Sequence, residues 1–102
     1  MKRDMDLVRA VLLAVEAEAD PFEIAGHSHK QILGHVRMVT EAGLLLDETP
    51  LRLAWTGHDF LAAARNESVW RGVKRKLTEK VADAPFSVLV ELLKCAVTDL
   101  LI

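Results

Sequence analysis

Residues 41–61 read EAGLLLDETPLRLAWTGHDFL, and no other stretch constrains the fold as much. Leu44-Leu45-Leu46 and Leu51-Arg52-Leu53-Ala54-Trp55 are short apolar runs, and Asp47-Glu48-Thr49-Pro50 between them is turn chemistry. Two such runs around a polar turn predict a β-hairpin. Gly43, just upstream, is a helix stop in the left-handed conformation. Thr56, just downstream, is the expected N-cap of a helix that begins at Gly57-His58-Asp59. A lone hairpin is marginal in water, so helices must cover it.

The flanking segments supply those helices. Met5, Val8, Leu12 and Val15 fall at helical spacing, with Val11 widening the stripe. Asp4 is the expected N-cap, and Asp20-Pro21 is the expected end, because the residue before proline avoids the helical region. Phe22-Glu23-Ile24 alternates and predicts a short edge strand closed by Gly26. Ser28 then caps a second helix with Ile32, Leu33, Val36 and Val39 on its apolar face. After the hairpin, Phe60, Leu61, Ala64, Val69, Trp70, Val73, Leu77 and Val81 line one long helix, or two if Asn66-Glu67-Ser68 interrupts it. Asp83-Ala84-Pro85 breaks the pattern. A last helix over residues 88–101 is apolar nearly all round and must be covered, by its own domain or by a second copy.

Helix, strand, helix and hairpin in that order predict a winged helix-turn-helix followed by C-terminal helices: mainly α with a small β-hairpin. The reading is one domain over residues 1–102, with a core at 1–61 and a helical extension at 57–102. Half the residues are apolar and 27% are charged, which argues against disorder. The single cysteine, Cys95, lies in an apolar run and reads as a small buried side chain. A lone thiol, no signal-like opening and no run near the roughly 20 apolar residues of a membrane span predict a cytoplasmic protein away from membranes.

Several short stretches carry a likeness. Met1-Lys2-Arg3-Asp4-Met5-Asp6-Leu7, Glu41-Ala42-Gly43-Leu44, Trp70 and Val73-Lys74 resemble an uncharacterised protein family of bacteria and their phages. The strongest match is Leu53-Ala54-Trp55-Thr56-Gly57-His58-Asp59-Phe60-Leu61. In that family the stretch usually reads Leu-Thr-Trp-acidic-Gly-His-acidic-Phe-Leu, so Ala54 and Thr56 depart from it. The resemblance covers nearly the whole chain. It implies a winged-helix-like fold and no particular chemistry.

The chemistry-bearing residues are few. Four histidines, His27, His29, His35 and His58, are not spaced as a zinc set, and no cysteine pair accompanies them. There is no nucleophile elbow and no glycine-rich phosphate loop, so neither an enzyme nor a cofactor is expected. Trp55, Gly57, His58 and Phe60 form a structural corner, with the aromatics in the core and His58 tying the wing to the helix.

For nucleic acid, the second helix is the natural recognition element. Ser28, His29, Lys30, Gln31, His35 and Arg37 are its polar residues, and such side chains reach base edges and phosphates. Arg71, Lys74 and Arg75 head the densest cationic run, which continues to Lys76 and Lys80. Charge tempers this. Residues 1–50 hold five Lys/Arg against nine Asp/Glu, a net of −4, and residues 51–102 hold eight against six, a net of +2. The leading expectation is a winged-helix protein that binds double-stranded DNA as a transcriptional regulator of bacterial or phage origin, a homodimer through its last helix. The alternative is a protein–protein interaction module, an adaptor or inhibitor that binds no DNA.

Overall fold

The computed structural model describes residues 3–80 and Glu91. Apart from Glu91, the expected last helix, the dimer contact assigned to it, and Cys95 lie outside those residues. The chain is mainly helical with one small hairpin. Helices α1 (Met5–Glu16) and α2 (His29–Glu41) precede strands β1 (Leu45–Leu46) and β2 (Arg52–Leu53). Helices α3 (Trp55–Ala64) and α4 (Glu67–Lys80) follow. This order is compatible with a winged helix. By contacts the chain divides into two compact units, Met1–His58 and Asp59–Ile102.

In the first unit, α1 starts where the sequence says. The Asp4 carboxylate accepts the Asp6 and Leu7 N–H groups at 3.0 and 3.2 Å, satisfying two of the orphan donors of the first turn. Its apolar stripe is buried as Leu7, Val8, Val11, Leu12 and Val15. The helix stops before the Asp20-Pro21 break. Glu18 adopts φ 59°, its N–H bonds the Val15 carbonyl, and the Ala19 N–H bonds the Ala14 carbonyl. This paired closure usually places glycine at the left-handed position, and Glu18 occupies it with a Cβ.

Phe22-Glu23-Ile24 is not a strand. Pro21–Glu23 forms a short 3-10 turn, with Asp20 as its cap accepting the Phe22 N–H at 2.9 Å. Proline just inside a helical start and a capping aspartate before it override three residues of alternation. Pro21 is buried.

Ser28 caps α2 by accepting the Gln31 N–H at 3.1 Å, and Ile32, Val36 and Val39 are buried. The helix closes as α1 does, but with Gly43 at φ 84°: the Gly43 N–H bonds the Thr40 carbonyl and the Leu44 N–H bonds the Val39 carbonyl. The hairpin forms as predicted. Leu45 pairs with Leu53 and Leu46 with Arg52, antiparallel, around a turn with a cis Thr49–Pro50 bond. Leu44, Leu45 and Leu53 face inward.

In the second unit, Asn66 separates two helices. Its side-chain oxygen accepts the Ser68 and Val69 N–H groups at 3.0 and 3.1 Å and so caps α4. The Phe60 and Trp70 rings meet edge-on, with centroids 6.0 Å apart, and both are buried.

Candidate functional site

The exposed side of α2 is the first candidate, and its polar residues are mostly committed elsewhere. The Ser28 hydroxyl is the helix cap. His29 stacks on Phe22 with ring centroids 4.6 Å apart. The Gln31 side-chain oxygen lies 3.2 Å from Nδ1 of His27. Lys30 and Arg37 remain exposed, and Ser28, Lys30, Gln31, Leu33, Gly34 and Arg37 line a shallow depression of about 400 Å³. Lys30, Gly34 and Arg37 are spaced as one helix stripe, so the two cations bracket a residue without a side chain.

His35 leaves that polar surface altogether. It is fully buried, the one buried polar residue among the described positions. Its Nε2 accepts the Asp4 N–H at 2.9 Å, and its Nδ1 lies 2.8 Å from the Gln31 carbonyl oxygen. A carbonyl can only accept, so the ring is the Nδ1–H tautomer. One imidazole thereby joins the cap of α1 to the first turn of α2. The sequence did carry a signal: position 35 lies three residues after Ile32 and four before Val39, within the buried stripe.

The corner after the hairpin is the second candidate. The Ala54 N–H donates to the Leu44 carbonyl at 3.0 Å, and the Thr56 hydroxyl donates to the Gly43 carbonyl at 2.8 Å. Thr56 is therefore not the cap of α3, which already begins at Trp55. A Cβ placed on Gly57 would run into the Leu44 carbonyl oxygen and crowd Leu53. Glycine is required there because helix and strand end approach backbone to backbone. Of the corner's two aromatics only Phe60 is buried. Trp55 is 83% exposed, since the chain turns into α3 before strand alternation can bring it inward. The His58 ring is exposed and makes no hydrogen bond or ion pair among the described residues, so it does not tie wing to helix.

His58 instead lines the third candidate, a groove of about 890 Å³ in the first unit. The end of α1 and the 3-10 turn form one wall, with Val15, Ala19, Pro21 and Phe22. The hairpin forms the other, with Pro50, Leu51 and Leu53. Glu16, Glu18, Asp20 and Glu48 also line it, and Arg52 adds a cation held by Glu48, Nε to Oε2, at 3.2 Å. Sequence reasoning did not single out this groove, because its walls come from segments some thirty residues apart.

Arg71, Lys74 and Arg75 belong to the second unit, on α4. They are spaced as neighbours on one helix face, with Arg71 and Arg75 exposed and Lys74 half-buried. Among the described residues no group of three or more His, Cys, Asp or Glu is placed to hold a metal ion. No helix among them is long and apolar enough to cross a membrane.

A family model described as "Hypothetical protein (DUF2513)" matches residues 2–83. The chain belongs to the DUF2513 family. It is also similar to a Haemophilus influenzae protein described as uncharacterized, at 26% identity over 117 residues, covering 99% of both chains. No solved structure matches it. In this DUF2513 chain the family-like stretches have a structural explanation. Glu41-Ala42-Gly43-Leu44 and Ala54-Trp55-Thr56-Gly57 are the two sides of one corner, joined by the Gly43–Thr56 and Leu44–Ala54 hydrogen bonds. Asp4, from the third such stretch, is the residue whose N–H the buried His35 accepts.

Proposed function

We propose that this chain is a regulatory protein-binding module built on a winged-helix-like N-terminal unit. The observation that carries the reading is the charge of the surfaces with which a winged helix meets phosphates. Asp47 and Glu48 are exposed at the hairpin tip, and the nearby cation, Arg52, is paired to Glu48. On α2 only Lys30 and Arg37 are cationic, and Glu41 ends the helix. The first unit holds six Lys/Arg against nine Asp/Glu, a net of −3. Phosphate contacts supply most of non-specific DNA affinity, and they need positive charge at the contact. Protein surfaces make no such demand, and an exposed tryptophan such as Trp55 is typical of interface anchors.

Double-stranded DNA binding is the second reading. It rests on Lys30 and Arg37 flanking the depression on α2. Fluorescence anisotropy with a labelled duplex of mixed sequence at low ionic strength separates the two, because electrostatic binding is strongest there. The expected result is no saturable binding. Saturable binding that is weakened by Lys30→Ala with Arg37→Ala would overturn the protein-binding reading.

A further inference from the structure

We infer that the groove beside the hairpin receives a basic, extended segment of a partner protein, which pairs with the open edge of β2. The inference rests on the protein-binding reading and names the partner's chemistry. Three observations converge on it. The sheet has only two strands among the described residues, so β2 pairs with β1 on one side and presents its other edge unpaired. Unpaired strand edges are templates for an incoming strand. The segment that the sequence offers as an edge strand, Phe22-Glu23-Ile24, is turned into the 3-10 turn by Asp20 and Pro21, and so leaves that edge alone.

The groove itself lies along the same strand. Arg52 and Leu53 of β2 line it, and its volume of about 890 Å³ is at the upper end for a small-ligand cleft. Its lining combines apolar surface with carboxylates. Pro21, Phe22 and Leu51 offer apolar contact, while Glu16, Glu18, Asp20 and Glu48 bring negative charge against the single cation Arg52. A strand presents its side chains alternately to two sides. A segment alternating basic and apolar residues can therefore set its apolar side chains on the walls and its cations toward the carboxylates. Charge complementarity of this kind selects partners and speeds encounter. A nucleic acid or an acidic peptide would meet repulsion from the same residues.

Isothermal titration calorimetry of the full chain tests this with a capped six-residue peptide of alternating lysine and leucine at low salt. Three controls accompany it: a glutamate–leucine counterpart, a lysine–leucine peptide methylated on its backbone nitrogens, and the Glu18→Lys variant. Glu18 is exposed, and lysine at its left-handed position is no more strained than glutamate, so this variant keeps the fold. The expected result is saturable 1:1 binding of the lysine–leucine peptide alone, weakened about tenfold by Glu18→Lys and further by added salt. Equal binding of the acidic or methylated peptide overturns the inference, as does no binding of the basic one. Self-association of the chain that excludes the peptide also overturns it, since a second copy would then be the occupant. Failure here leaves the broader protein-binding reading standing, which falls only to saturable DNA binding through Lys30 and Arg37.

Discussion

The corner and the groove lie in the same 58-residue unit, share the hairpin, and are built on opposite terms. At the corner the hydrogen bonds run within the protein: the Thr56 hydroxyl to the Gly43 carbonyl and the Ala54 N–H to the Leu44 carbonyl. The groove combines an open strand edge, exposed carboxylates and apolar residues of which Phe22 and Leu51 are half-buried. The corner's hydrogen bonds hold backbone to backbone, whereas the groove offers charge, apolar surface and an unpaired strand edge. A sequence motif can therefore be distinctive because the backbone needs it, while the surface available for binding is assembled from residues that look ordinary.

The largest effect that would break this contrast is at Gly57. Gly57→Ala forces a Cβ against the Leu44 carbonyl, and the backbone on both sides must move. We expect a loss of about 3 kcal/mol in denaturant unfolding. A loss under about 0.5 kcal/mol would mean that the corner is not locked. His35→Leu comes next. It keeps the buried volume similar but leaves the Asp4 N–H without an acceptor, at an expected cost of about 2 kcal/mol. An unchanged unfolding midpoint would show that the link between α1 and α2 contributes nothing. The smallest effect sharpens the contrast at one residue. Glu18→Gly relieves the left-handed strain at the end of α1 and should stabilise the unit by about 0.5–1 kcal/mol. The same change removes a groove carboxylate and should weaken binding of the basic peptide. Stability gained with no change in binding would separate Glu18 from the site.

Much of the fold was legible because local signals agreed with one another. Asp4, Ser28 and Gly43 punctuate helices whose apolar stripes have the right period, and the polar turn at 47–50 sits between two leucine runs. Asn66 offered a break and proved to be a cap. The misreadings arose where a backbone hydrogen bond outweighed a side-chain pattern. Alternation at Phe22-Glu23-Ile24 yielded to the Asp20 cap and Pro21. Trp55 followed the strand pattern in sequence, but the chain enters α3 there and the ring is left outside. Glu18 ends α1 at a position where glycine would have been the sequence signal.

The site was less legible than the fold for a different reason. Polar residues on α2 look like a recognition surface when read in isolation. In the folded unit Ser28 is a cap, His29 stacks on Phe22, Gln31 faces His27 and His35 is buried, so the surface shrinks to Lys30 and Arg37. The groove has the reverse history. Its carboxylates look like a solvated helix end and a turn until residues 15–22 and 48–53 come to line one space.

Chemical-shift mapping on one isotopically labelled sample tests the contrast most directly. The lysine–leucine peptide and a mixed-sequence DNA duplex are titrated separately at low ionic strength. The peptide is expected to shift the amides of Glu18, Phe22, Leu51 and Arg52, and the α2 amides from Lys30 to Arg37 are expected to stay in place with both ligands. Saturable shifts along α2 with DNA, and a silent groove with the peptide, would contradict it.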